Sequence, residues 1–113
     1  MINRAAIILR YKEPFIKWIN ESDPYDDDPG ITLESANKER TVYLISDTDA
    51  ENYEQWIELN YKELVESELG NWYTDEALWP KKITEKMFDE WFEVECHSVL
   101  IDTVGGKIYD DET

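Results

Sequence analysis

The sequence has very few of the residues on which most recognisable protein chemistry depends. It contains one cysteine, one histidine and four glycines in 113 residues. One cysteine cannot form an internal disulfide, and four glycines are too few to build a loop that cradles phosphate groups. No nucleotide-binding loop and no nucleophile-elbow motif occurs. These absences argue against most familiar enzyme classes, and the residues alone do not identify an activity.

The sequence also lacks a long apolar run. The run near the N-terminus covers only residues 5–9 and is closed by Arg10. A membrane span needs about 20 apolar residues, and a secretory signal needs a longer apolar core with a cleavage site. We therefore expect no membrane association. The single cysteine suits a reducing compartment, so the sequence predicts a cytoplasmic protein.

Positive charge is scarce. The chain has 27 acidic residues against 11 lysines and arginines, a formal net charge of -16, and residues 41–80 contain ten acids and only Lys62 as a base. Such a surface repels phosphate groups and attracts basic proteins. We therefore expect no nucleic acid partner. The simpler interpretation is that the acids only keep the protein soluble.

Apolar side chains are nevertheless abundant. Hydrophobic residues make up 42% and aromatic residues 13% of the chain, a composition far from that of disordered proteins. A chain of this length buries roughly 65% of its unfolded surface without a disulfide or a metal. The sequence therefore predicts a single globular domain over residues 1–113.

Hydrophobic patterns predict three strands. Residues 4–11 and 41–46 carry apolar side chains on both faces. For residues 4–11 this pattern indicates a central strand. A last strand is predicted at residues 97–104. It ends at Gly105-Gly106, a turn signal that would return residues 107–109 as a short edge strand.

Helices are predicted between these strands. The first begins near Pro14, a residue that the first turn of a helix tolerates. A long helix starts at a capping box of Thr48 and Glu51 and runs towards Gly70 as its stop. A further helix begins at Thr84. Its predicted buried residues are Met87, Phe88, Trp91 and Phe92.

Two interpretations remain open for residues 31–37. If residues 31–35 pair with the strand at 41–46, the strand order becomes ferredoxin-like. If Thr32 instead caps a short helical turn, the sheet has one strand fewer, and we favour this turn. The fold class is α+β or α/β, with a three- to four-stranded sheet and three or four helices. A parallel crossover between the first two strands is permitted.

Four segments resemble, in this order, those of a group of small uncharacterised bacterial proteins of about this length. They are TVYLI, WYTDEALWPK, MFDEWFEVE and HSVLID, and the resemblance runs from Asn3 to Asp102. It implies a bacterial, cytoplasmic protein. It implies no activity and no functional residue.

Cys96 and His97 are adjacent, which suggests a nucleophile and its base. On a strand, however, neighbouring side chains point to opposite faces, so the pair cannot form a hydrogen-bonded dyad. We therefore expect structural roles for both. Zinc is disfavoured too, because one cysteine and one histidine leave a site dependent on carboxylates.

The acidic stretch at residues 22–30 is a better metal candidate. A loose calcium or magnesium site would use Asp26, Asp27, Asp28 and Glu34. The EF-hand spacing fails, since Asp28 stands where that loop requires glycine. A solvated turn is the simpler interpretation. No cofactor is predicted.

Two hypotheses for function remain. The first is an acidic interaction module that binds a basic protein partner, with Trp72 or Trp79 as the most exposed aromatic ring. Its candidate contact residues are Glu51, Glu54, Glu58, Leu59, Trp72 and Trp79. The acids of the long helix are spaced at roughly one charge per 4 Å, too sparse to mimic duplex DNA at about one per 1.7 Å.

The second hypothesis is a metal-dependent hydrolase or nuclease. Asp47 follows the second predicted strand and Asp102 lies on the last one, so both carboxylates could meet at strand ends. Converging carboxylates or a concave ligand pocket would favour this enzyme, whereas an acidic or aromatic patch would favour the interaction module. The sequence does not predict an oligomeric state.

Overall fold

An antiparallel sheet of three strands forms the framework of the protein. The structure is a computed structural model that describes residues 1–23 and 30–109. The strands are β1 (Arg4–Tyr11), β2 (Val42–Ser46) and β3 (Phe92–His97), in the spatial order β2-β1-β3. The predicted α+β class and the central position of the first strand are both confirmed.

Five helices accompany this sheet in the part of the chain that the structure describes. The two longest are α1 and α4, and a 3-10 turn at Glu76–Leu78 precedes the last helix. The bounds are α1 (Glu13–Ser22), α2 (Leu33–Ala36), α3 (Asp47–Ala50), α4 (Tyr53–Trp72) and α5 (Glu85–Trp91).

The strand β1 alternates between a helix-covered face and an open face. Ala5, Ile7 and Leu9 are at most 1% exposed and pack against the helices. Ile7 stands opposite Tyr43 of β2 and Cys96 of β3. The alternate residues of the sheet point to the other face, which we call the open face.

Pairing of β1 with β2 is antiparallel, so the parallel crossover that the sequence permitted does not occur. The segment that follows α1 returns to the end of β1, where the Asn37 side chain forms two hydrogen bonds with the Tyr11 backbone. Asn37 Oδ1 accepts from Tyr11 N at 2.9 Å, and Asn37 Nδ2 donates to Tyr11 O at 3.2 Å. The next strand therefore starts beside the end of β1 and runs the opposite way.

Residues 31–37 contain the predicted helical turn. Thr32 Oγ1 accepts from Ser35 N at 3.1 Å and caps α2. Since Leu33–Ala36 is helical, the extra strand on which the ferredoxin-like alternative depended is absent from this segment.

The long helix α4 differs from its prediction at both ends. Ser46 Oγ accepts from Asp49 N at 3.1 Å, so Ser46 caps the short helix α3 before Thr48 is reached. The helix α4 begins only at Tyr53, after a turn. It also continues through Gly70 to Trp72, because Gly70 keeps a helical backbone and lacks the positive φ of a helix stop.

The last strand lies about one strand length earlier than predicted. The chain passes from α5 directly into β3, so Phe92 is a buried strand residue that faces Tyr11 and not a helical one. His97 is the end of β3, and residues 98–109 contain no strand. The predicted strands at 97–104 and 107–109 are therefore wrong.

Aromatic rings form the centre of the core. Phe15 is fully buried, with ring centroids 4.6 Å from Tyr11 and 4.8 Å from Phe92. Phe88 and Phe92 are each 2% exposed, as predicted, whereas Met87 and Trp91, which were also predicted to be buried, are only half-buried. Within residues 1–23 and 30–109, no helix combines the length and apolar character required to cross a bilayer.

Candidate functional site

A groove with acidic rims lies between α4 and α5. It encloses about 260 Å³. Its floor is apolar and its rims carry carboxylates from both helices. The floor is formed by Tyr53, Ile57, Phe88 and Val94, and the rims by Glu54, Glu58, Glu85 and Asp89.

Helical spacing places these acids along the groove. Glu54 and Glu58 are four residues apart on α4, and Glu85 and Asp89 are four apart on α5, so each pair lies on one side of its helix. Thr84 fixes the start of α5, because its Oγ1 accepts from Met87 N at 3.1 Å. The floor is well packed, since Ile57 is 7% and Phe88 2% exposed.

The rim carboxylates carry unneutralised negative charge. Within the described parts of the chain, none of the four forms an ion pair. The neighbouring Lys86 pairs with Glu90, with 4.0 Å between Nζ and Oε1. Lys12 Nζ donates to the Asp89 carbonyl at 2.8 Å, so it binds backbone and not carboxylate. The groove is therefore a negative, partly apolar surface.

Of the predicted contact residues, only Glu54 and Glu58 line this groove. Glu51 is exposed at the end of α3. Leu59 is 78% exposed, and as the residue after Glu58 it lies about 100° further round α4. The helix therefore presents Leu59 on a different side from the groove.

Trp72 and Trp79 are half-buried, contrary to the expectation that one of them is the most exposed ring. Trp72 Nε1 donates to Tyr11 Oη at 3.4 Å, and Trp79 Nε1 donates to the Tyr73 carbonyl at 2.8 Å. Both indole N–H groups therefore have hydrogen-bond partners within the protein, and neither ring is left fully exposed. Among the described aromatic residues, Tyr109 is the exposed one, at 79%.

The residues considered for metal binding do not converge where the structure describes them. Asp26, Asp27 and Asp28 lie outside the described residues, and Glu34 is exposed in the first turn of α2. Across residues 1–23 and 30–109, no three histidine, cysteine, aspartate or glutamate side chains are arranged to hold a metal ion.

The two carboxylates of the hydrolase hypothesis are both exposed. Asp47 is the first residue of α3. Asp102 follows β3, and its Oδ1 accepts from Val104 N at 2.8 Å, which makes it part of a local turn.

Cys96 and His97 point to opposite faces of β3, as their adjacency predicted. Cys96 is half-buried against the core, and burial raises the pKa of its thiol. His97 is exposed, with Nε2 3.4 Å from Glu95 Oε2 on the same face. A half-buried thiol with a raised pKa, whose adjacent imidazole lies on the opposite face of the strand, is a poor nucleophile.

Glu68 is one of the acids of the long helix that the sequence suggests as a solvent-facing charge, and this interpretation is wrong. Glu68 is 1% exposed. Tyr11 Oη donates to its Oε1 at 2.6 Å, and Tyr43 Oη donates to its Oε2. The sequence contained a signal for a buried acid at this place. Two tyrosines occupy strand positions that face the helices, and a buried hydroxyl group needs a hydrogen-bond partner.

A second cleft, of about 560 Å³, lies beside Tyr11 and Trp72. Lys38 and Arg40 line it together with Glu39. The Arg40 Nη1 atom is buried and has no hydrogen-bond partner among the described residues. Because basic and acidic side chains both line this cleft, it does not favour a ligand of one charge.

Sequence reasoning missed Glu85 and Asp89. Their signal was present, because two acids at helical spacing follow the Thr84 cap beside the apolar residue Phe88. Their position opposite Glu54 and Glu58 depends on the packing of α5 against α4, which periodicity does not provide.

The fold and the groove together define a small α+β domain with an acidic cleft between two helices. Comparison of the chain with family models, curated proteins and solved structures finds no match. The function therefore has to be argued from the groove itself.

Proposed function

We propose that the protein is an interaction module that binds a basic segment of a partner protein in the groove between α4 and α5. The observation that carries this proposal is the set of four rim carboxylates without ion-pair partners among the described residues, around an apolar floor. Lysine or arginine side chains of the partner supply the missing charges. An apolar partner residue between them contacts the floor.

The size of the groove favours a protein surface over a small molecule. Its volume of about 260 Å³ is below the roughly 300–1,000 Å³ typical of small-molecule sites. A groove of this kind holds one or two side chains of a larger partner. The rest of the contact would lie on the neighbouring surfaces of α4 and α5, where Glu51 is exposed.

The net charge of the chain supports the same proposal. A protein with a formal net charge of -16 attracts basic partners and accelerates their association at low ionic strength. Salt weakens this attraction. We place the interaction in the cytoplasm of a bacterium, on the single cysteine and on the resemblance of the sequence to small bacterial proteins.

A peptide-binding measurement tests the proposal. The probe is a fluorescent peptide of alternating lysine and leucine, and the read-out is fluorescence anisotropy. We expect binding that weakens with added salt. The double variant Glu54→Gln/Glu58→Gln should bind about tenfold more weakly, because each exposed ion pair contributes up to about 1 kcal/mol.

The double variant Glu63→Gln/Glu66→Gln is the matched control. It removes the same charge from exposed positions of the same helix, outside the groove. If both double variants weakened binding equally, the groove assignment would be wrong. A peptide of alternating glutamate and leucine should not bind, and its binding would contradict the requirement for a basic partner.

A further inference from the structure

Exposed apolar side chains are concentrated in two places, neither of which lines the acidic groove. Nine large hydrophobic residues are exposed in the described parts of the chain, and seven of them belong to these two places. The first place is the C-terminal segment, residues 98–109. Its exposed residues are Val99, Ile101, Val104, Ile108 and Tyr109, each 66–79% exposed.

The second place is the open face of the sheet. Val42 and Leu44 are 52% and 53% exposed there. The strand register sets them beside Ile8 and Ala6 of β1. They are exposed because the helices of the core pack against the other face, where Tyr43 and Ile45 point.

Both places carry little net charge of their own in a strongly acidic protein, and Glu63 of α4 is the acid that lines the cleft beside Val42 and Leu44. On the open face, Arg4 and Arg10 balance Glu93 and Glu95, and Arg10 Nη1 lies 3.4 Å from Glu95 Oε1. In the C-terminal segment, residues 98–109, one acid, Asp102, is balanced by one base, Lys107, and three acids follow in the sequence at residues 110–112. A basic partner therefore gains less attraction at these two places than at the acidic groove. Two apolar surfaces of low net charge meet with less of the repulsion that a net charge of -16 imposes elsewhere.

The start of the C-terminal segment continues past the end of the sheet of its own chain. Ile2 N donates to Leu100 O at 2.8 Å. This hydrogen bond takes the chain past the start of β1, beyond the end of the sheet. To reach its own open face, the segment would have to reverse direction.

We propose that the C-terminal segment of one copy docks on the open face of a second copy, and that the protein is a reciprocal homodimer. Each chain carries both halves of the contact, so a two-fold axis satisfies both of them. The segment and the open face together give roughly 20 residues per protomer, at the lower end of what stable interfaces use. The helices α4 and α5 pack on the other side of the sheet, so the acidic groove stays accessible in this dimer.

Light scattering coupled to size-exclusion chromatography tests the dimer. The expected mass of the wild-type protein is twice the 13.4 kDa of one chain. The double variant Ile101→Asp/Val104→Asp should be a monomer, and so should Leu44→Asp. Circular dichroism establishes that each variant is folded. Mixing the two monomeric variants should restore some dimer, because one contact of the reciprocal pair is intact in the mixture.

Leu59→Asp is the matched control, since it places the same charge at a residue that is 78% exposed on the helical side of the molecule. It should remain a dimer. Dimer loss in Leu59→Asp equal to that in Leu44→Asp would overturn the proposal. A wild-type monomer up to millimolar concentration would overturn it as well. If Ile101→Asp/Val104→Asp then shifted the NMR signals of Leu44 in a monomer, the occupant of the open face would be the segment of the same chain.

Discussion

Glu68 is a carboxylate enclosed in the core and held by two tyrosine hydroxyls. Burial raises the pKa of Glu68, and the hydrogen bonds from Tyr11 and Tyr43 lower it by a smaller amount. Burial also raises the pKa of both tyrosines, and the neighbouring Glu68 raises it further. The tyrosines therefore remain donors, and Glu68 holds a proton more tightly in the folded state than in the unfolded state.

This environment predicts a pH-dependent stability. A carboxyl group whose pKa is higher in the folded state than in the unfolded state contributes stability that is fully present below the unfolded pKa, about 4.3. The contribution is lost as the pH rises through the folded pKa. The free energy of unfolding of the wild type, relative to Glu68→Gln, should fall as the pH rises, because glutamine stays uncharged.

Urea unfolding at a series of pH values measures this difference. Glu66→Gln is the control, since Glu66 is exposed on the same helix. The difference in free energy of unfolding between Glu66→Gln and the wild type should depend much less on pH. A wild type that gained stability relative to Glu68→Gln as the pH rose would contradict the account of Glu68.

The helix α4 shows which structural features the sequence reveals and which it does not. Its apolar stripe predicts a helix correctly, because the spacing of buried residues is a local property. Its ends are set by competition between neighbouring caps, and here Ser46 accepts from the amide of Asp49 and begins the short helix α3 two residues before Thr48. Gly70 is an ordinary helical position, although glycine at that place suggests a stop.

The strands and the groove also include some features that the sequence reveals and others that it does not. The pattern of residues 4–11 predicts β1 correctly, since both faces of a central strand are apolar. The start of β3 at Phe92 was missed, because helix α5 and strand β3 adjoin without a turn signal. Two of the four rim acids, Glu54 and Glu58, were named from the sequence as candidate contact residues, but the groove itself was not predicted. The groove depends on how α5 packs against α4, which is a tertiary property.

Gly70 provides a test of the helix itself. A Cβ added at Gly70 would lie 3.7 Å from the Trp79 ring, an ordinary van der Waals distance. Alanine has the higher helix propensity and restricts the unfolded chain more. Gly70→Ala should therefore stabilise the protein by about 0.5–1 kcal/mol. Thermal or urea unfolding checks this prediction, and a destabilised variant would show that Gly70 ends the helix after all.

At the scale of the whole molecule, the sheet separates two surfaces of different character. The helical side carries the acidic groove, and the open side carries neutral apolar residues. A homodimer formed through the open side presents two acidic grooves. A partner with two basic segments would then bind both grooves, and its second segment would bind at a raised effective concentration if its linker spans them.

The most direct test of the central claim is to locate the bound basic segment on the protein. We would titrate the isotope-labelled protein with the lysine–leucine peptide and follow its amide signals by NMR. The account predicts the largest shifts at Tyr53, Ile57, Phe88 and Val94, with smaller changes at the open face and at Leu59. Shifts centred instead on the cleft beside Arg40 and Trp72, or on Val42 and Leu44, would contradict the proposed function.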